Sequence, residues 1–173
     1  MLNKPKGVVS ATNDKNEKTV IDLVPKEYKR RNLFPAGRLD ITTTGFVLIT
    51  DDGDFAHRIL SPKNHIEKTY EARLAEKVTD EQIKRISEGI ELKDETKCLP
   101  AKVTVIEDGD EPLVEIKICE GKYHQIKRMF AAAGNGVIGL KRTQMGGLML
   151  DPNLKEGEIR LLTVREVQII ENG

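Results

Sequence analysis

The 173-residue chain has no tryptophan, only 4% aromatic residues, two cysteines and three histidines. Each shortage removes a class of chemistry. His57, His65 and His124 are scattered, and Cys98 and Cys119 lie far apart, so no set of side chains has zinc-ligand spacing and no metal is expected. The two thiols read as reduced, core or half-buried cysteines of a cytoplasmic protein. No glycine-rich loop followed by Lys-Ser/Thr appears, which argues against a nucleoside triphosphate site. No apolar run approaches the roughly 18 residues of a membrane helix, and Met1-Leu2-Asn3-Lys4-Pro5 does not open a signal peptide, so no membrane partner is expected. Net charge is also missing. Twenty-eight basic residues balance 28 acidic ones, and no global field advertises nucleic acid.

What is present fits a folded protein: 38% hydrophobic and 32% charged residues, and enough chain for one core or two small lobes sharing a sheet. The charge is unevenly spread. Residues 1–75 carry 13 Lys/Arg against 10 Asp/Glu, and residues 76–120 carry 7 against 13. Residues 121–150 hold Lys122, Lys127, Arg128, Lys141 and Arg142 and no acid at all. An acid-free segment beside an acid-rich one is a candidate for binding anions. Lys29, Arg30 and Arg31 form a second, smaller basic cluster.

Local patterns place the elements. Leu2 to Ser10 reads as a strand broken by Lys4-Pro5-Lys6-Gly7, and Thr19 is expected to cap a short helix stopped by Pro25. The run Phe46-Val47-Leu48-Ile49 is a buried strand. Asp54 to Leu60 is a short helix ended by Ser61-Pro62, and Lys68 to Leu74 alternates as a half-buried strand. Thr79-x-x-Gln82 and Thr163-x-x-Glu166 are capping boxes opening two helices. Strands are expected over Lys102–Glu107, Leu113–Cys119, Val137–Arg142 and Ile159–Leu162. Ile126, Met129, Phe130 and Ala133 make the apolar stripe of a helix ended by Gly134. Strands outnumber helices and hairpins recur, which predicts an α+β fold with a mostly antiparallel sheet and flanking helices.

The stretch Ala36-Gly37-Arg38-Leu39-Asp40-Ile41-Thr42-Thr43-Thr44-Gly45 puts one carboxylate, with a nearby cation, in a loop feeding a buried strand. A lone acid suits nucleophilic or electrostatic work better than paired acid/base chemistry. Tyr70 lies on the inward face of its strand, as a core residue or as a ring that stacks on a planar substrate. His124 and Lys127 share a helix face. No aligned Ser or Cys nucleophile accompanies His124, so it reads as a hydrogen-bonding residue rather than a catalytic base.

Four segments follow one another along the chain: Asn3-Lys4-Pro5-Lys6-Gly7, Ala36-Gly37-Arg38-Leu39-Asp40 with Thr43-Thr44-Gly45, Glu67-Lys68-Thr69-Tyr70, and Glu120-Gly121-Lys122-Tyr123-His124-Gln125-Ile126-Lys127-Arg128-Met129. Together they resemble the successive motifs of the RsuA-type pseudouridine synthases, with the likeness continuing through Arg142 and Gly146-Gly147. The resemblance implies an isomerase that converts a uridine of ribosomal RNA to its C-glycoside without metal or cofactor. It implies Asp40 as catalytic carboxylate and Arg38 as the arginine of the same loop. It further implies Tyr70 packing on the target base, Lys127 pairing with the aspartate, and Leu140 lining the base pocket. Lys122, His124, Arg128, Lys141 and Arg142 are the expected RNA contacts.

Lys122-Tyr123-His124-Gln125 resembles the branch acting on small-subunit 16S rRNA, whereas the large-subunit branches tend to carry Asn-Arg in place of Tyr123-His124. A 23S rRNA enzyme is the nearest alternative, and a non-catalytic RNA-binding or assembly module is the other. Residues 1–173 are expected to form a catalytic domain, acting as a monomer, without the N-terminal S4-type RNA-binding domain that usually precedes the Asn-Lys-Pro motif.

Overall fold

The computed structural model describes residues 1–30 and 32–172, so Arg31 of the smaller basic cluster lies outside the described residues. Among the described residues there are eight strands and four α-helices, with all but one of the strand pairings given below antiparallel. None of the helices is long and apolar enough to cross a membrane. The chain divides into two compact units, Met1–Ile66 with Lys141–Gly173, and Glu67–Leu140.

The first unit is organised by β3 (Thr44–Thr50). Strand β1 (Leu2–Lys4) pairs antiparallel with it from Leu2↔Val47 to Lys4↔Gly45. Strand β2 (Phe34–Ala36) pairs antiparallel at Phe34↔Thr50 through Ala36↔Leu48. The second half of β7 (Val137–Met145) joins in parallel at Thr44↔Lys141 and Gly45↔Arg142. Paired along its length, β3 is buried from Thr44 to Leu48, which explains its unbroken apolar run. Strand β8 (Leu148–Met149) folds back on β7. Helices α1 (Gly53–Leu60) and α4 (Val164–Glu171) pack over the core of Phe46, Leu48, Phe55, Ile59, Met145 and Ile170.

Both helices begin where the sequence demands. The Asp52 carboxylate accepts from the Phe55 amide (2.9 Å), and the Thr163–Glu166 capping box closes in both directions. Pro62 keeps Ser61 out of helical geometry, which stops α1.

The second unit holds β4 (Lys68–Leu74), α2 (Asp80–Ser87), β5 (Lys102–Glu107), β6 (Leu113–Ile118), α3 (Gln125–Ala133) and the first half of β7. Strands β4 and β6 pair antiparallel from Lys68↔Ile118 to Arg73↔Leu113, and β5 and β6 form the expected hairpin with an irregularity between Val105 and Glu107. Alternation in β4 buries Tyr70, Ala72 and Leu74 while Glu71 and Arg73 stay half-buried. Gly134 ends α3 with φ 90°, a left-handed cap.

Two expected elements are absent. Thr19–Val24 forms turns instead of a helix: the Asp22 carboxylate takes the Thr19 amide (2.8 Å) and hydroxyl (3.0 Å), and i→i+3 bonds follow. The cap chemistry is real, but Pro25 arrives before a helical nucleus can propagate. Ile159–Leu162 is no strand and contributes only an isolated bridge, Leu2↔Ile159. The N-terminal strand is also shorter than expected, ending before Pro5.

Candidate active site

Asp40 sits half-buried in the loop between β2 and β3, as expected, with Arg38 exposed beside it. The backbone around Asp40 is held on every side. Ser10 Oγ accepts from the Leu39 amide (3.0 Å) and donates to the Leu39 carbonyl (3.1 Å). The Thr43 amide donates to the Asp40 carbonyl (3.0 Å), closing a turn, and the Gly7 amide donates to the Ile41 carbonyl (2.9 Å). Lys4, fully buried at 0% exposure, donates its ammonium to the carbonyls of Thr43 (2.8 Å) and Pro5 (3.0 Å). The Asn-Lys-Pro segment and Ser10 therefore clamp the aspartate loop. Charge-assisted bonds of this kind are the strong ones in a dry interior. Sequence reasoning gave Lys4 and Ser10 no such role, although a lysine between Leu2 and Val8 in a strand pattern was a visible anomaly.

Gly45 closes the loop onto β3. Its φ is +100°, and a Cβ there would stand 2.2 Å from the Arg142 carbonyl oxygen. Only glycine permits that approach. Arg142 is 2% exposed, and its Nε donates to the Phe46 carbonyl (2.7 Å). The guanidinium thus bonds into the β3 backbone through its Nε. Lys141, one residue earlier, is half-buried.

The second unit carries the other expected residues. Tyr70, 8% exposed, lies opposite Ile116 in the middle of β4. On α3, Ile126, Met129, Phe130 and Ala133 are buried as the stripe predicts, and Lys127 and Arg128 are half-buried on its flank. Leu140, half-buried in β7, is the last residue of this unit. The structure brings Arg38, Asp40, Lys141 and Arg142 into the first unit, and Tyr70, Lys122, His124, Lys127, Arg128 and Leu140 into the second.

The acid-free segment is less electropositive than its composition suggests. The Lys122 ammonium bonds the Glu120 carboxylate and the Lys97 carbonyl (2.8 Å). Arg128 pairs with Asp94 (2.5 Å) and donates to the Tyr123 carbonyl (3.3 Å). Burial works against the charge on Glu120, but bonds from Lys122, the Leu99 amide and Gln125 outweigh it and hold its carboxyl below the usual range. Asp94 is lowered likewise, first by Thr96 and then by Arg128. The neutralising acids lie just outside the segment, where counting within its bounds missed them.

Cys98 is buried and Cys119 half-buried, both as free thiols, in keeping with the sequence reading.

Comparison with known proteins fits this arrangement. Residues 1–132 match the family described as RNA pseudouridylate synthase. Over 172 residues the chain is 48% identical to the ribosomal small subunit pseudouridine synthase A of Salmonella typhimurium, covering 96% of this chain and 71% of the relative. It is 46% identical over 171 residues to an uncharacterized RNA pseudouridine synthase of Bacillus subtilis, covering 98% and 72%. A crystal structure of a pseudouridylate synthase superposes with a TM-score of 0.89 at 44% identity, covering 98% of this chain and 71% of that one. An archaeal box H/ACA sRNP complex, at 19% identity and a TM-score of 0.63, shares the fold. With the α+β architecture, the family match over residues 1–132 and relatives covering 96–98% of it, the chain belongs to the RNA pseudouridylate synthase family of isomerases.

Proposed function

We propose that this isomerase acts on a uridine of 16S rRNA, with Asp40 as its catalytic carboxylate. The loop geometry carries the assignment of Asp40: Lys4, Gly7, Ser10 and the Thr43 turn fix the backbone on both sides of one half-buried acid. Preorganisation of that kind is what a group needs when it must meet a reacting atom without rearranging. The small-subunit substrate is supported by relatives named for it, among them the Salmonella typhimurium synthase.

The reaction breaks the C1′–N1 bond, turns the uracil and joins C5 to C1′, while the C5 hydrogen leaves as a proton and N1 regains one. A carboxylate can attack C1′ or the base C6, or can remove a sugar proton as the bond breaks. In this reading Tyr70 supplies a ring for the flipped base, Leu140 an apolar wall, and Lys127 a cation. Arg38 and Lys141 hold flanking phosphates.

Tritium release from 5-tritiated uridine transcripts tests the reading. Wild type is expected to release tritium from a 16S transcript in preference to 23S, and Asp40→Asn to stay at background. Equal release by the two proteins would remove Asp40 from the chemistry, and release from 23S alone would replace the substrate.

A further inference from the structure

Tyr123 is the one aromatic among the exposed large hydrophobic side chains of the described residues, at 70% exposure. It is not loose. Its ring stacks on the His124 imidazole with centroids 3.8 Å apart and planes 18° from parallel. Its carbonyl accepts from Arg128, which is itself tied to Asp94. The loop before it is locked by Gln125, whose side chain accepts from the Lys122 amide (2.9 Å) and donates to Glu120 (2.7 Å).

His124 has φ 46°, a left-handed conformation uncommon for a residue with a Cβ. Backbone strain of this kind persists only where the surroundings over-determine it. Here it sets the imidazole beneath the tyrosine ring at the start of α3. A solvent-facing aromatic that the fold takes such trouble to orient has one face covered and the other offered.

We propose that Tyr123, backed by His124, is a stacking platform for an unpaired base of the RNA flanking the target uridine. This rests on RNA being the substrate, as proposed above. The chemistry favours a nucleobase. Lys122 and Arg128 already spend their charge on Glu120 and Asp94, so they act as positioning residues for the ring more than as free phosphate contacts. What the loop leaves available is a π-face, which recognises any base and needs no counterion. The platform immediately precedes α3, four residues before Lys127 in the chain. Preorganising it removes the ordering cost that a mobile tyrosine would impose on binding.

The test measures Kd for a fluorescent 16S-derived oligonucleotide containing the target region. Tyr123→Ala is expected to weaken binding by about 5- to 150-fold, the range that one lost base–aromatic stack gives. Tyr123→Phe keeps the ring and is expected to recover most of that loss. A scan placing a single abasic residue at each flanking position should find one that weakens wild type to the same extent and Tyr123→Ala no further. Unchanged binding by Tyr123→Ala would overturn the proposal. So would equal losses in Phe and Ala, or abasic and Ala losses that add. Tritium release by wild type is read alongside. Absent release with an intact abasic coupling would sink the catalytic reading and leave the platform standing; normal release without coupling would do the reverse.

Discussion

Replacing Gly45 with alanine puts a methyl group where the backbone of β7 already lies. The new Cβ would meet the Arg142 carbonyl oxygen at 2.2 Å and its amide nitrogen at 2.9 Å, and neither is a side-chain end that can swing aside. Even a close C···O contact needs about 3.3 Å, so β3 and β7 must separate locally by roughly 1 Å. The parallel pairing there consists of Thr44↔Lys141 and Gly45↔Arg142 alone, so little ladder remains to resist. Losing those bonds costs about 1 kcal/mol each. Holding alanine near φ +100° adds roughly 1–3 kcal/mol, for a total of about 3–5 kcal/mol. For a chain of this size each kcal/mol moves Tm by about 2–4 °C, which places the expected drop at about 6–20 °C. Thermal melting by circular dichroism measures it. Tritium release should fall further than stability does, because the strand that shifts also ends the Asp40 loop. A Tm within about 2 °C of wild type would refute the reasoning.

Lys4→Met keeps the stem volume and removes the ammonium that holds the Thr43 and Pro5 carbonyls. Buried carbonyls left without donors should cost about 2–4 kcal/mol, read as a lower urea midpoint, and an unchanged midpoint would show that the clamp is not needed for stability. Glu166 is held at a pKa of about 2, first by Arg160, whose guanidinium bonds it at 2.7 Å, and then by the Thr163 amide. Because the folded pKa is depressed, the stabilisation is full above about pH 4.5 and is lost as pH falls toward 2. The side chain is 19% exposed, so screening reduces the contribution to about 1–2 kcal/mol. Glu166→Gln is therefore expected to be less stable than wild type at pH 6, with the gap narrowing below about pH 4.5 and closing only as pH falls through about 2; a gap that stays constant across denaturation curves in that window would contradict the linkage.

Local chemistry was legible where one segment decides its own structure. Strands β4 and β5 begin and end where their patterns do, both capping boxes close, and α3 stops at Gly134. What escaped depends on partners distant in sequence. Nothing near Ile159 tells that its neighbours offer only one bridge, and nothing near Thr44 announces a parallel partner at Lys141. Strand β2 hides behind Pro35, which reads as a breaker and is tolerated because it lies in a short strand paired only with β3. The site divides the same way. The Asp40 loop could be read from its small and polar residues, whereas the lysine and serine that pin it could not. Formal charge was the least reliable guide, since Glu120, Asp94 and the Phe46 carbonyl engage three of the five cations in the acid-free segment.

The division of the chain has a temporal side. The unit bearing Asp40 is assembled from Met1–Ile66 and Lys141–Gly173, while Glu67–Leu140 is contiguous. A ribosome making this protein releases the acid-bearing loop first, then the complete middle unit. Only afterwards does it release the stretch of β7 that Gly45 must receive. The carboxylate thus emerges early but waits for its last supporting strand, so a partly made chain carries Asp40 without the framework that aims it.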